Sequence, residues 1–332
     1  MALFALAVLA LGGINAILLS LLVLRRVRLA AEARRRAALT QKLRPSAIAF
    51  LEGDADLPTG LTTVEQEILA DILGEYARKL RGPARALITR YFEEHGTVDR
   101  ELAALARARA SWRRAMAAHR LGDIGSTTAS AGLLAALEDD ARDVRTAAAR
   151  SLGKLQEPRA VEPLLTAVAA RRVPRSVVGW ALLQIGAPAL PALRNLLAAE
   201  DSARRAGALR VLGLLGDAAD AEIVAARLRD TSAEVRAAAA HALARLGGSA
   251  SFPQLLTALD DRVPSVRAAA ATALGRGRDR RALDPLLAHA RGDRFEVAQA
   301  AARAAAAIDL AETERAATST HLREAVDLAA LA

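Results

Sequence analysis

The residue types that perform most enzyme chemistry are sparse in this chain. Its 332 residues include no cysteine and five histidines, at positions 95, 119, 241, 289 and 321. The lack of cysteine excludes disulfides, thiolate zinc sites and cysteine nucleophiles. The sequence offers no nucleophile–base–carboxylate set, no phosphate-binding glycine loop and no metal-ligand spacing, so we predict no cofactor and no metal. The remaining chemistry is that of arginine, which recurs at fixed intervals and pairs with acidic groups.

These arginines belong to a phrase that recurs seven times with variations: an arginine, an Ala-rich stretch, then Leu-Gly in four of the copies. The copies start at Arg114, Arg145, Arg175, Arg205, Arg236, Arg267 and Ala298, the last without the arginine and the leucine. Successive starts are 31, 30, 30, 31, 31 and 31 residues apart. Constant spacing of this kind is typical of a solenoid of repeated units. Apolar segments such as VEPLLTAVA lie between the copies, so each unit is predicted to be a pair of helices.

Composition favours an all-α fold. Hydrophobic residues make up 53% of the chain and aromatic residues only 3%, so alanine and leucine carry the apolar content. Such a sequence forms helices well and β-sheets poorly. Small alanine side chains also let inner helices approach one another closely. The predicted fold is an α-solenoid of helical hairpins preceded by one transmembrane helix.

The repeat resembles the HEAT repeat, in the short bacterial form also called the phycobilisome-lyase-type HEAT-like repeat. The resemblance rests on an aspartate that precedes Val-Arg, as in Asp143-Val144-Arg145 with Asp139 before it, Asp230 with Arg236 and Asp261 with Arg267, and it covers about residues 97–308. It implies the fold and no particular function. The whole arrangement is also similar to bacterial single-pass membrane proteins with a cytoplasmic HEAT array. Some of these are encoded beside membrane glycosyltransferases, which makes such an enzyme a candidate partner.

Two rows of side chains are predicted to line the concave surface of the array. They lie five and nine residues after each repeat start, and positions four apart share a helix face. The predicted protein-binding residues are His119, Arg150, Lys154, Trp180, Arg210, His241, Arg245, Arg276 and Arg303. Six are formally positive, against one acid, Asp123. Two interpretations stay open: a solvated helix face, or a basic groove around Trp180 that binds an acidic segment of a partner protein.

Other repeat positions have structural interpretations. Arg145, Arg236 and Arg267 each follow an acidic turn by about six residues, which predicts a ladder of Asp–Arg pairs between adjacent units. Ala148, Ala149 and Leu152, three, four and seven residues after Arg145, are predicted to be buried, as are their equivalents. The glycine after leucine is predicted to end its helix in a left-handed conformation.

The N-terminal segment is predicted to cross a membrane. Ala2 to Leu24 contains 23 residues without a charge, about 34 Å as a helix, which exceeds the bilayer core. Residues 25–44 then hold eight basic residues and one acid, +7 of the net +9. By the positive-inside rule this predicts a single-pass anchor in the cytoplasmic membrane, with the array in the cytoplasm. The membrane-proximal basic residues, which also attract anionic lipid, are Arg25, Arg26, Arg28, Arg34, Arg35 and Arg36.

A cleaved signal peptide is the alternative for this segment, but its basic residues would precede the apolar run. The predicted domains are a transmembrane helix over 1–24, a basic juxtamembrane segment and linker over 25–61, a helical hairpin over 62–96, the repeat array over 97–308 and a C-terminal capping helix over 309–332. Pro and Gly between 45 and 61 indicate the linker proper. Thr63 and Gln66 are predicted to form the capping box of the hairpin.

These features predict a membrane-anchored cytoplasmic scaffold or adaptor that binds an acidic, membrane-associated protein partner and is not an enzyme. The alternatives are a HEAT-like enzyme, of the bilin lyase or DNA glycosylase type, and a weak nucleic-acid binder. A glycosylase needs aromatic residues that cradle a base, and the chain has two Trp and two Tyr. A bilin lyase would be expected to be a soluble protein, so the predicted membrane anchor argues against this alternative. Outside residues 25–44 the charge is only +2, so neither nucleic acid nor a small-molecule substrate is expected.

Overall fold

The structure, a computed structural model, describes residues 2–247, 251–318 and 320–330, and these form helices joined by turns, without strands. The chain divides into two compact units, Met1–Val98 and Asp99–Ala332. The prediction of an all-α helical-repeat fold is confirmed for the described residues.

The first unit consists of α1 (Ala2–Glu52), α2 (Thr63–Lys79) and α3 (Pro83–Glu94). The hairpin of α2 and α3 agrees with the prediction, but its capping box is formed by Thr62 and Glu65 rather than by Thr63 and Gln66. The predicted linker begins later than expected, because α1 continues to Glu52 with Pro45 inside it. Leu43 and Ala47 on either side of this proline are buried, and their burial outweighs the backbone hydrogen bond that proline removes.

Among the described residues, no single helix is long and apolar enough to cross a membrane. One bent pair, Arg175–Ile185 with Ala187–Leu196, passes that test by length and composition only. In the predicted transmembrane segment Ala2–Leu24, the side chains of residues 2–18 lie outside the described part. Of the membrane-proximal arginines, Arg36 contacts Asp71 of α2 at 3.4 Å, so part of the basic segment pairs within its own unit.

The second unit is a two-layer array. Its inner layer consists of α5 (Ser111–Ile124), α7 (Arg142–Lys154), α9 (Arg175–Ile185), α11 (Ser202–Leu215), α13 (Ala233–Leu246), α15 (Pro264–Gly277) and α17 (Phe295–Ile308). Its outer layer consists of α4 (Thr97–Arg107), α6 (Ser130–Ala135), α8 (Val161–Ala169), α10 (Leu190–Leu196), α12 (Ala221–Ala225), α14 (Phe252–Leu259) and α16 (Leu283–Gly292). The inner helices begin at the repeated arginine phrase. Ala148, Ala149 and Leu152 are fully buried, as predicted.

The C-terminal segment forms two helices, α18 (Leu310–Arg315) and α19 (Thr320–Ala330), where one capping helix was predicted. The Asp309 side chain accepts a hydrogen bond from the Glu312 backbone and so starts α18 as a separate helix. Threonines 318 and 320 lie at the break between the helices, and threonine favours helix ends and turns over helix interiors.

Glycines inside the inner helices mark where neighbouring inner helices touch. A Cβ at Gly153 would lie 2.7 Å from the Cα of Ala181 on α9. The same clash occurs at Gly122 against Ser151, Gly213 against Ala242 and Gly275 against Ala304. The prediction that these glycines end their helices in a left-handed conformation is therefore wrong. All four lie within helices at ordinary φ values, and glycine is needed there because any side chain would force the helices apart.

The predicted ladder of Asp–Arg pairs joins most adjacent units. Arg236 donates from Nε and Nη2 to both carboxylate oxygens of Asp261, at 2.7 and 2.9 Å. Its Nη1 donates to the carbonyl oxygens of Asp230 and Thr231 in the preceding turn. Equivalent two-point pairs join Arg114 with Asp139, Arg205 with Asp230 and Arg267 with Asp293.

Two members of the ladder are missing at the centre of the array. Each ladder aspartate precedes the next repeat start by five or six residues, but alanines 169 and 199 occupy that position after Arg145 and Arg175. Arg145 donates instead to the carbonyl oxygen of Arg172, so its predicted aspartate pair with the next unit is wrong. Arg175 forms no ion pair with the described part of the chain.

Candidate functional site

The inner helices present the predicted basic rows to solvent. We call this surface the basic face and define it by His119, Arg150, Lys154, Trp180, Arg210, His241, Arg245, Arg276 and Arg303. All are exposed except Lys154, which is partly buried. They reach one surface because they recur at the same two positions of successive, parallel-stacked inner helices.

At the α5 end of the basic face, the charges are compensated within the chain. The Lys154 Nζ donates to Asp123 at 2.6 Å, and His119 Nδ1 lies 3.2 Å from the same carboxylate. Asp123 itself is buried. These three residues therefore form a closed cluster that contributes little attraction for an acidic partner.

Outside this cluster, most positive charges of the basic face have no acidic partner among the described residues. Arg150, Arg245, Arg276 and Arg303 are exposed and form no ion pair or hydrogen bond with the residues that the structure describes. Arg210 pairs with Glu234 of α13 at 2.7 Å. Sequence reasoning missed Glu234, since it lies two residues before its repeat start and outside both rows.

Three arginines of the basic face lie close enough to His241 to affect its charge state. Partial loss of hydration beside the neighbouring helices lowers the pKa of His241 below its ordinary value of 6.5, and the nearby charges of Arg245, Arg210 and Arg276 lower it further. The imidazole is consequently neutral at pH 7. It offers a hydrogen-bonding group among the arginines without adding to their charge.

Apolar side chains lie among the charges in the middle of the face. Trp180 is 39% exposed, Leu183 is 46% exposed and Leu214 is 51% exposed. Sequence reasoning identified Trp180 but not the two leucines as site residues. The sequence contained evidence for both leucines. Leu214 lies nine residues after Arg205, in one of the two rows predicted to be exposed, and Leu183 stands where four other repeats have glycine. A surface with arginine, tryptophan and exposed leucine can bind a partner segment that carries both acidic and apolar residues.

The family comparison supports the repeat reading. The model for HEAT repeats matches residues 99–183, 169–244 and 221–307, which is more than half of the chain. This chain belongs to the HEAT-repeat family. Among the described residues of this HEAT-repeat protein, no group of three or more His, Asp or Glu side chains could hold a metal ion. No curated protein matches the sequence.

Several solved structures resemble the HEAT-repeat array. Human deoxyhypusine hydroxylase in complex with glycerol is 21% identical, with a TM-score of 0.33, over 82% of this chain and 98% of that one. A phycocyanin lyase complex from Nostoc is 20% identical, with a TM-score of 0.27, over 82% and 90%. An engineered protein is 21% identical, with a TM-score of 0.39, over 82% and 75%. At these values the likeness assigns no activity, substrate or partner to this chain.

One sequence-based prediction is corrected by this comparison. The prediction that the chain is not an enzyme is wrong as an exclusion, because a hydroxylase and a lyase are among the similar structures. Neither the repeat fold nor the aromatic-poor composition excludes catalysis.

Proposed function

We propose that the HEAT array is a binding scaffold whose basic face receives an acidic segment of a partner protein. The observation that carries this proposal is the set of four exposed arginines, Arg150, Arg245, Arg276 and Arg303, without ion-pair partners in the described part of the chain. Elsewhere in the array, arginines at regular positions are paired with aspartates. Unpaired charges of one sign along one face favour a ligand of the opposite sign and accelerate its association.

Within this proposal, Trp180 anchors the partner. Its ring is partly exposed beside Leu183 and Leu214, and tryptophan at the centre of an interface often contributes more than its neighbours do. The bound segment would place an apolar residue against Trp180 and acidic residues against the arginines on either side. A helix or an extended tail of a partner meets this requirement.

We also propose that residues 2–24 anchor the chain in the cytoplasmic membrane, with the array in the cytoplasm. Support comes from the uncharged run and from the eight basic residues that follow it. A membrane-associated partner, with a membrane glycosyltransferase-type enzyme as the first class to test, would then share the surface of the bilayer. Extraction of membranes with alkaline carbonate tests this: the full chain should stay in the pellet, and a chain lacking residues 2–24 should be released.

The binding proposal is tested by purifying tagged full-length protein in mild detergent and identifying what accompanies it. Changing Arg150, Arg245 and Arg276 together to Glu should abolish capture of the partner, because three charges then repel the acidic segment. Thermal stability should hardly change, since exposed charges contribute on the order of 0–1 kcal/mol each to folding.

The matched control changes three exposed arginines of the outer helices and turns, Arg229, Arg262 and Arg291, to Glu. This variant has the same net charge and should still capture the partner. Equal losses in both variants would overturn the proposal, because the effect would then follow net charge rather than the basic face. Salt-dependent retention of DNA by the wild-type chain, lost in the face variant, would favour nucleic-acid binding instead.

A further inference from the structure

The centre of the array contains a cleft that the scaffold function does not require. The cleft has a volume of about 900 Å³ and lies between α9, α11 and the segment that joins α8 to α9. Its floor is apolar and includes Leu165, Val178, Leu182 and Val211, all buried. A volume of this size falls within the range of small-molecule sites.

The cleft exists because the packing rule of the array fails at this junction. In four other inner helices, a glycine allows close contact with the next inner helix. In α9, Leu183 occupies that position, and Val211 stands on α11 where the other junctions have alanine or serine. Two larger side chains keep α9 and α11 apart. Gly179 widens the gap, because a Cβ there would meet nothing within 4 Å.

The rim of the cleft is strongly cationic. Six arginines line it, Arg142, Arg145, Arg171, Arg172, Arg175 and Arg210, against one acid, Glu234. Arg210 pairs with Glu234 and Arg172 pairs with Glu138. The other four have no carboxylate partner among the described residues. Two of these, Arg145 and Arg175, are the ladder arginines whose aspartates have been replaced by alanine.

An anion in the cleft would supply the missing negative charge. The ladder shows how this fold uses arginine at these positions, namely in two-point contact with a carboxylate. Planar guanidinium groups bind phosphate oxygens in the same manner. The apolar floor gives no partner to a fully hydrated ion such as inorganic phosphate, but it does favour an apolar body attached to the anionic head.

We propose that this cleft binds a small amphipathic anion, with the apolar body on the floor between α9 and α11 and a phosphate or carboxylate head at Arg142, Arg145, Arg171 and Arg175. A phosphate monoester, with up to two negative charges, compensates more of the excess positive charge than a carboxylate does. Arg210 and Leu214 line the cleft and also lie on the basic face. The proposed head-group and floor residues lie outside that face, so the proposal does not rest on partner binding.

Arg171 provides a variant that separates binding from folding. Its φ of 56° lies in the left-handed region, which glycine adopts more readily than arginine. Arg171→Gly should therefore keep or raise the melting temperature while it removes a head-group contact. Gly179→Leu should fill the cleft without a clash at Cβ and should also improve helix propensity.

The experiment is calorimetric titration of the full-length chain with 1-naphthyl phosphate, 1-naphthoate, inorganic phosphate and 1-naphthol. Both naphthyl anions should bind, 1-naphthyl phosphate more tightly than 1-naphthoate. Inorganic phosphate, which is the head group alone, and 1-naphthol, which is the apolar body alone, should bind at least about tenfold more weakly. Arg171→Gly and Gly179→Leu should each raise the Kd about tenfold or more without a fall in melting temperature. The control Arg278→Gly replaces another exposed arginine with a left-handed backbone, φ 50°, outside the cleft and outside the basic face, and should leave the Kd unchanged.

Three results would overturn the proposal. The first is no binding of either naphthyl anion at millimolar concentration. The second is binding of inorganic phosphate as tight as that of 1-naphthyl phosphate, which would indicate non-specific charge attraction. The third is an unchanged Kd in both Arg171→Gly and Gly179→Leu. Loss of partner capture by the basic-face variant leaves all of these readouts unaffected, so the two proposals can fail separately.

Discussion

At the scale of single residues, the surroundings of each arginine decide whether it stabilises the array or remains available to a ligand. Arg236 is buried and bonds two carboxylate oxygens and two carbonyls. Arg150 is exposed and bonds none of the described residues. Arg236 therefore holds adjacent units together, whereas Arg150 adds a positive charge to the surface with little effect on the stability of the fold.

Replacing Arg236 should therefore destabilise the fold, and replacing Arg150 should not. We expect Arg236→Leu to lower the free energy of unfolding by about 2–4 kcal/mol, because the partly buried carboxylate of Asp261 loses its partner. Arg150→Leu should change it by less than about 0.5 kcal/mol. Urea denaturation followed by circular dichroism measures both. Equal values for the two variants would contradict the role assigned to the ladder.

The ladder also predicts how stability depends on pH. The hydrogen bond from Arg114 lowers the pKa of Asp139 from 3.8 to about 2, and Arg267 and His289 lower that of Asp293 strongly. Since the folded-state pKa lies below the unfolded one, this stabilisation is complete above about pH 4 and is lost as the pH falls toward 2. Asp139→Asn should be less stable at pH 7 and should lose less on acidification between pH 4 and 2. A slope identical to wild type in that range would show that Asp139 does not contribute.

At the scale of helices, contact between inner helices depends on glycine. Gly213 lies against Ala242 so closely that a Cβ would come within 2.7 Å of its Cα. Gly179 also lies inside an inner helix, but a Cβ there would meet nothing within 4 Å. Identical substitutions at these two positions should therefore have opposite effects.

We expect Gly213→Ala to lower the free energy of unfolding by about 1–3 kcal/mol, because two backbones must separate. Gly179→Ala should raise it by roughly 0.5–1 kcal/mol, the gain in helix propensity when alanine replaces glycine. Thermal denaturation of the paired variants tests this. A stabilised Gly213→Ala variant would mean that the inner helices are not in close contact at this point.

The sequence was sufficient to predict the repeated helical pairs, the buried alanines and the exposure of the basic face, because these follow from a regular period. It did not reveal what the repeated glycine does, since helix termination and close approach both favour glycine and only the neighbouring helix distinguishes them. The cleft was missed for a related reason. Ala169, Leu183 and Ala199 are ordinary residues by themselves, and they matter only through the aspartates and the glycine that they replace.

At the scale of the whole molecule, the second unit contains its own core and its own ladder. The division between the units falls between Val98 and Asp99, after the second residue of α4, so a fragment that keeps α4 whole should begin at Thr97. We expect residues 97–332 to fold alone, with strongly helical circular dichroism and a cooperative melting transition. An unfolded or aggregated fragment would show that the first unit is needed for folding.

The cleft between α9 and α11 also bears on cooperativity. In a repeat array, each unit is coupled only to its neighbours, so unfolding spreads from unit to unit until it meets a weak coupling. The α9–α11 junction has neither an Asp–Arg pair nor a glycine contact. Unfolding that starts at one end of the array should therefore stop at the α9–α11 junction, and the array should unfold as two cooperative blocks.

Hydrogen exchange in mild denaturant detects such blocks. Arg267→Leu should accelerate exchange in α11, α13, α15 and α17 and leave the rates in α5 and α7 unchanged. Uniform acceleration along the array would show a single cooperative block. With two blocks, an amphipathic anion bound between α9 and α11 would couple them, and its presence would appear as slower exchange on both sides of the junction at once.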